Sequence, residues 1–378
     1  MTELLLPKKL LLKLGLSISF VLCMISNYTV GENANFLLEQ ENIRYIVYFV
    51  SFIFLLFFIY CNRELEISKS CFFKTFSGII GVLLLILFYN HGVDDLFRLL
   101  VLFPFLFIKP IQETKIKKIL SFSLYVGVLV SLCLSVYNGI FFDGEVHKGR
   151  LLTNSNDPNF SAVYAMLGFM ASDKINNRKT KFCYLLIGIF TQSRNFILFL
   201  ISFYVVRWLK CRSAISKINP LLSFVLLQIG VVLFGGYMLL RMSFDNQNLL
   251  ADGSNKLRFT YTAEGIVYLL SGKEAIFNGA GAAYWSTAKG GTGSAGTTGA
   301  LHNSYLSLMV EKGIIYAIIN LCFLFLIVDK NYTLENVEYV YSFLIPTLFL
   351  GGMFSGIFLY SWCYILSIRK YMLGEVIL

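Results

Sequence analysis

Arg194 stands in Thr191-Gln192-Ser193-Arg194-Asn195, between two apolar runs and with no acidic residue within a helical turn. A guanidinium keeps its charge and can grip two oxygens of one phosphate at once. The alternative is a distant carboxylate partner or a side chain snorkelling to a polar interface. His302 offers different chemistry. It closes a Gly-rich segment and opens the helical run 304–311, for which Asn303 or Ser304 is a suitable N-cap. Amide dipoles at a helix start disfavour the imidazolium, so a neutral His302 there could accept a proton near neutral pH. Equally, a histidine at such a junction can be purely structural. Arg258 is either a second cation of the same site or an ordinary surface residue. Arg98 contrasts with both, because Asp94 and Asp95 lie four and three residues before it and allow a local ion pair. Tyr284 and Trp285 present rings that can stack on a sugar or anchor at a membrane interface.

The elements that must position these residues follow from composition. The chain has 378 residues, 57% of them hydrophobic and only 14% charged, with 36 Phe. An ordinary soluble domain is roughly a quarter charged. Lys plus Arg is 32 against 22 for Asp plus Glu, a net charge of +10 spread between apolar runs rather than gathered on one face. A soluble enzyme, a nucleic-acid module and a disordered chain are excluded as readings. The composition predicts a multi-span membrane protein.

A bilayer core of about 30 Å needs roughly 20 apolar helical residues, and lipid admits helices or closed barrels only. Barrel-type alternation is absent. Spans are predicted near 10–30, 43–61, 76–90, 95–108, 119–141, 159–172, 221–240 and 313–328. The first run follows Lys8 and Lys9 but lacks a small-residue cleavage site, so it reads as an uncleaved helix. The run 182–208 would make about 40 Å of helix, too long for one span. Basic residues arbitrate, since they gather on cytoplasmic connectors. If 182–208 crossed once, 207–217, with four basic residues in 11, would face outside, and 242–303, with four in 62, would face inside. Two short helices meeting near 191–195 are therefore predicted. The uncharged stretch 339–368 likewise splits into two around 351–356. The fold class is an all-α polytopic membrane protein of about 12 transmembrane helices, one integral membrane domain over 1–378 with both termini cytoplasmic.

One long outer loop, 242–303, interrupts this pattern. Its part 255–278 has helical character, with Leu257, Tyr261, Val267, Leu269 and Leu270 as an apolar face along the membrane surface. The part 279–299 holds seven Gly, five Ala and six Ser or Thr. It is either a mobile cover over a site or a plain flexible linker. A phosphate cradle is disfavoured, because no G-x-x-x-x-G-K-[ST] pattern is present and no strand precedes it. None of the eight cysteines lies in the loop, so no disulfide framework is expected there. His91, His147 and His302 are far apart, and no metal-ligand spacing occurs.

The segment from His302 through Asn303, Ser304, Tyr305 and Leu306 to Glu311-Lys312-Gly313 resembles the signature of the bacterial O-antigen polymerase and O-antigen ligase superfamily. Gly149-Arg150-Leu151-Leu152-Thr153-Asn154-Ser155-Asn156-Asp157-Pro158-Asn159 resembles that family's Arg-to-Pro-Asn segment. Ser193-Arg194 resembles its Ser-Arg turn, and Arg258 followed by Ile276-Phe277-Asn278-Gly279-Ala280-Gly281 its outer-loop pattern. The similarities run in order over 149–313. The Gly/Thr-rich stretch before His302 departs from the family, whose members are usually less repetitive there.

The resemblance implies a metal-independent glycosyltransferase without a cofactor, in the bacterial cytoplasmic membrane and working at its outer face. Its donor would be an undecaprenyl-diphosphate-linked glycan. A polymerase moves the growing chain onto the next lipid-linked repeat unit, giving O-antigen, capsule or exopolysaccharide, whereas a ligase moves finished polysaccharide onto lipid A core. The resemblance favours the polymerase. By carry-over, His302 is the base, and Arg194, Arg258 and Arg150 contact the diphosphate. Asn303, Tyr305, Tyr284 and Trp285 are candidate acceptor or sugar contacts. Chain-length regulator and flippase proteins are the implied partners, and nucleic acid is not. The alternative from another class is a lipid-linked oligosaccharide flippase, against which the lack of an internal repeat and the long histidine-bearing loop both weigh.

Overall fold

The computed structural model describes residues 102–106, 110–137, 149–153, 158–211, 265–270, 272, 277–280, 303–348, 350 and 356–369. The predicted spans 10–30, 43–61, 76–90 and 221–240 lie outside them, as do Arg98 and most of the loop 242–303. What is described is mostly helical. We label the helices α1 (Glu113–Tyr137), α2 (Pro158–Lys174), α3 (Arg178–Phe190), α4 (Arg194–Cys211), α5 (Ser304–Lys312), α6 (Ile314–Asn331), α7 (Val337–Leu344) and α8 (Gly356–Ser367).

Among the described residues, two helices are long and apolar enough to cross a membrane: Ile116–Val136 within α1, with mean hydropathy 2.3, and Ile314–Asn331, with mean hydropathy 1.8. Along α1, Ile116, Leu120 and Leu124 are buried, while Phe122, Tyr125, Leu129, Leu132 and Val136 are exposed. That spacing gives two opposite stripes on one helix. Ser123 returns its hydroxyl to the carbonyl of Ile119, which keeps the group satisfied on an apolar helix.

α2 is the axis of the bundle. Pro158 opens it, where the missing N–H costs nothing, and Asn159 alone among its residues is not buried. Gly168 lets α3 approach, since a Cβ there would meet the Tyr184 ring at 2.4 Å; Gly188 does the same for Phe196 of α4. The run 182–208 is indeed two helices. They break at 191–193, where Gln192 takes a φ of 52°. The predicted 159–172 and 313–328 correspond to α2 and α6 within a few residues, and 119–141 begins earlier, at Glu113.

One expectation changes. In the run 95–108, Phe103–Leu106 form a 3-10 turn rather than a continued helix, because Pro104 lacks the N–H an α-helix needs. The stretch 339–368 does form two short helices: α7, starting at Val337, is followed by a 3-10 turn, Pro346–Leu348, and then by α8; 351–355 lie outside the described residues. A two-residue parallel ladder, Ile111–Gln112 (β1) with Ile368–Arg369 (β2), ties the start of α1 to the end of α8.

The core is aromatic. Phe169 of α2 meets Phe199 and Phe203 of α4 edge-on at 5.6 and 5.4 Å, a favoured ring geometry. Trp362 stacks on Phe343 at 4.5 Å and donates its N–H to the Tyr339 carbonyl.

Candidate functional site

The bundle has two ends of different chemistry. At one, α2 and α4 finish, α3 and α7 begin, and the β1–β2 ladder sits. Asp173 accepts from Lys181 at 2.6 Å, from Arg207 at 2.5 Å and from Tyr339 Oη at 2.6 Å. Glu338 meets Arg207 at 3.3 Å and Lys210 at 3.1 Å. The buried Lys174 donates to Asn336 Oδ1 and lies over the Tyr339 ring. Burial alone would raise the Asp173 carboxyl, but hydrogen bonds from Arg207, Lys181 and Tyr339 outweigh it and hold the group below the ordinary carboxylate range. Lys330 reaches the Leu106 carbonyl at this end too.

Sequence reading missed this cluster as a unit, though it placed 207–217, with Arg207 and Lys210, on a cytoplasmic connector. The unused signal was acidic: Asp173 is the one acidic residue of α2 and lies next to its last residue, and Glu338 borders the long uncharged stretch.

At the opposite end α1 finishes and α2 begins, and the α3–α4 turn sits between them. Leu151 N donates to the Phe190 carbonyl at 2.9 Å, and Ser135 Oγ to the Leu152 carbonyl at 2.7 Å. These bonds lay the segment 149–153 against the turn. Arg150 Nε donates to the Thr191 carbonyl at 2.8 Å, and its Nη2 to Asn159 Oδ1 at 3.3 Å. Ser193 Oγ donates to the same Asn159 oxygen at 3.0 Å. Gln192 Nε2 reaches the Gly149 carbonyl at 3.3 Å. Arg194 follows as the first residue of α4, exposed. A helix macrodipole disfavours a cation in the first turn, so an anion at this point would meet both a guanidinium and the helix's own N–H groups.

α5 belongs to this same end. α7 runs antiparallel to α4 and hands the chain to Pro346–Leu348; the Leu350 carbonyl then accepts from Ser304 Oγ at 2.6 Å. α6 leads from Gly313 to Asn331, whose carbonyl accepts from Asn336 beside the charged cluster. Asn303 caps α5, its Oδ1 accepting from Tyr305 N and Leu306 N, both at 3.0 Å. Of the two caps the sequence allowed, Asn303 is the one used.

The outer-loop pattern also reaches α5. Ala280 N donates to the Val310 carbonyl at 2.7 Å. Gly279, with φ +66°, lies so close that a Cβ would meet Gly313 N at 2.5 Å and the Glu311 carbonyl oxygen at 2.6 Å. Tyr268 and Leu269 pack with Val310, while Val267 and Leu270 are exposed. The predicted face of Val267, Leu269 and Leu270 is therefore split, because α5 takes only one side of the turn 265–270.

Of the sequence-predicted site residues, the structure brings Arg150 and Arg194 to one turn. Asn303 is engaged as a cap, and Tyr305 is buried in the core at 2% exposure. His302, Arg258, Tyr284 and Trp285 lie outside the described residues. Among the described residues no three His, Cys, Asp or Glu gather as a metal set would. Asn159, Thr191 and Ser193 are the site residues that spacing alone did not single out. No family model matches this chain, and a search of curated proteins gives no match either.

Proposed function

We propose that this chain is a membrane glycosyltransferase that polymerises undecaprenyl-diphosphate-linked repeat units at the outer face of the bacterial cytoplasmic membrane. One observation carries the reading. Arg150 and Asn159 meet the turn 191–193, distant in sequence, through Thr191 and Ser193 at the end of the bundle where α5 begins. Arg207 and Lys210, expected on a cytoplasmic connector, lie at the opposite end, which supports an outward-facing site. A multi-pass topology with both termini inside belongs to the same proposal.

In this reading an acceptor hydroxyl attacks the anomeric carbon of the growing chain and loses its proton to His302. The bond from that carbon to the lipid diphosphate breaks, and the bonding pair leaves with the diphosphate. Arg194 and Arg258 stabilise the charge that collects there. A ligase would share every one of these steps and differ only in its acceptor.

The test supplies purified protein with undecaprenyl-diphosphate-linked repeat units, with and without lipid A core. A ladder of chain lengths without core is the expected result. Transfer only when core is present makes the protein a ligase. Movement of the lipid-linked glycan between leaflets with no new glycosidic bond overturns the enzyme reading.

A further inference from the structure

We propose that Asn159 is a positioning residue for the anion-binding arm: its single carboxamide oxygen sets the turn 191–193 against Arg150, and so aims Arg194. The inference rests on the reading of Arg194 as a diphosphate contact. It deepens that reading by naming the residue that holds the contact in place.

The geometry carries it in three steps. Asn159 is the second residue of α2, next to Pro158, so its side chain leaves an element buried along the rest of its length. Its Oδ1 accepts at once from Arg150 Nη2 at 3.3 Å and from Ser193 Oγ at 3.0 Å. Ser193 in turn is the residue immediately before Arg194, and its carbonyl accepts from Phe196 N at 3.0 Å and Ile197 N at 3.3 Å, fixing the first turn of α4. Ser193 thus belongs both to the bracket and to the helix start that carries Arg194.

The residue type suits the task. A carboxamide oxygen accepts two hydrogen bonds without charge. An aspartate would make the same bonds but set a carboxylate beside Arg150, where it would compete with any incoming anion. Leu152, one residue beyond the bracket's own Leu151, is pinned to α1 through Ser135, so the segment carrying Arg150 is itself fixed.

The experiment titrates the full-length protein in detergent with undecaprenyl diphosphate and, separately, with inorganic diphosphate. Asn159→Ala is expected to weaken binding of both probes by about tenfold, the scale of a misplaced contact. Arg194→Ala should weaken binding too, and Asn159→Ala added to it should cost no more than about twofold further, because the two act through one arm. Ser193→Ala removes the same hydrogen bond from its other side. It should reproduce the loss, and it serves if Asn159→Ala folds poorly.

Multiplying effects of Asn159→Ala and Arg194→Ala would overturn the inference, as would a loss confined to the lipid-linked probe. Wild-type binding with an unchanged Asn159→Ala constant overturns the inference alone. Absence of binding by the wild type overturns the diphosphate reading itself, and the inference falls with it.

Discussion

The two ends of the bundle hold arginines in different ways. Arg207 sits on carboxylates, Asp173 and Glu338, with a tyrosine hydroxyl completing the Asp173 shell. Arg150 donates to a backbone carbonyl and to a carboxamide that also accepts from Ser193. The first arrangement joins three helices through ion pairs, and the second joins a loop segment, a helix start and a turn through hydrogen bonds to uncharged oxygens. Substitutions should therefore separate the ends: stability should move at the Asp173 end, and donor handling at the Arg194 end.

The largest effect is expected from His302→Ala, on the proposed catalytic reading. Removal of a general base costs about 10²–10⁴-fold in rate, so transfer should fall to background while the protein stays in the membrane at wild-type level. Normal polymer from this variant would remove His302 from the mechanism and leave the Arg194 end as a binding site only.

Asp173→Asn should come next, in stability rather than in turnover. It leaves Lys181 without its carboxylate and Arg207 with Glu338 alone, and losing charge-assisted bonds in this partly exposed place costs about 2 kcal/mol. A melting temperature lowered by several degrees is expected, with undecaprenyl diphosphate affinity within about twofold of wild type. If affinity falls as much as stability, the two ends are coupled and the comparison fails.

How much of this contrast was readable beforehand depends on the range of the signal. The break at 191–193 was legible, because basic density on 207–217 could be weighed against 242–303, and topology constrains both. Asn303 as a cap was legible because capping is local: the side chain bonds backbone groups two and three residues on. The union of Asn159 with Ser193 was not, since it joins residues 34 apart through tertiary packing. Tyr305 lies beyond that range too: its place in a motif was legible, and the burial of its ring, at 2% exposure, is set by tertiary packing. Gly279 lies between these cases. Its glycine was visible in the outer-loop pattern, and only the approach to Glu311 and Gly313 explains it.

Arg194→Lys sharpens the comparison from the other side. Lysine keeps the charge and loses the planar fork, so a loss of about tenfold in donor kcat/KM is expected, with the melting temperature unchanged. Arg207→Lys is its counterpart at the opposite end and should leave the same kcat/KM alone. Equal losses from the two substitutions would mean that charge placement in general, not phosphate geometry, sets activity.

The smallest effect is one of pH, and its sign follows from Asp173. The folded carboxyl lies below its ordinary value because three donors hold its charged form against the effect of burial. Its contribution to stability is therefore complete above the unfolded pKa of about 3.9, and is lost as pH falls toward the folded value. Subtracting the Asp173→Asn melting temperature from that of wild type isolates the group, since asparagine does not titrate. That difference should be constant from about pH 8 to pH 5 and shrink below about pH 4. A difference that shrank on going from pH 5 to pH 8 would mean that a group losing its proton in that window, rather than this carboxylate, controls the joint. The charged end would then be a titrating element, and its contrast with the Arg150 end would no longer hold.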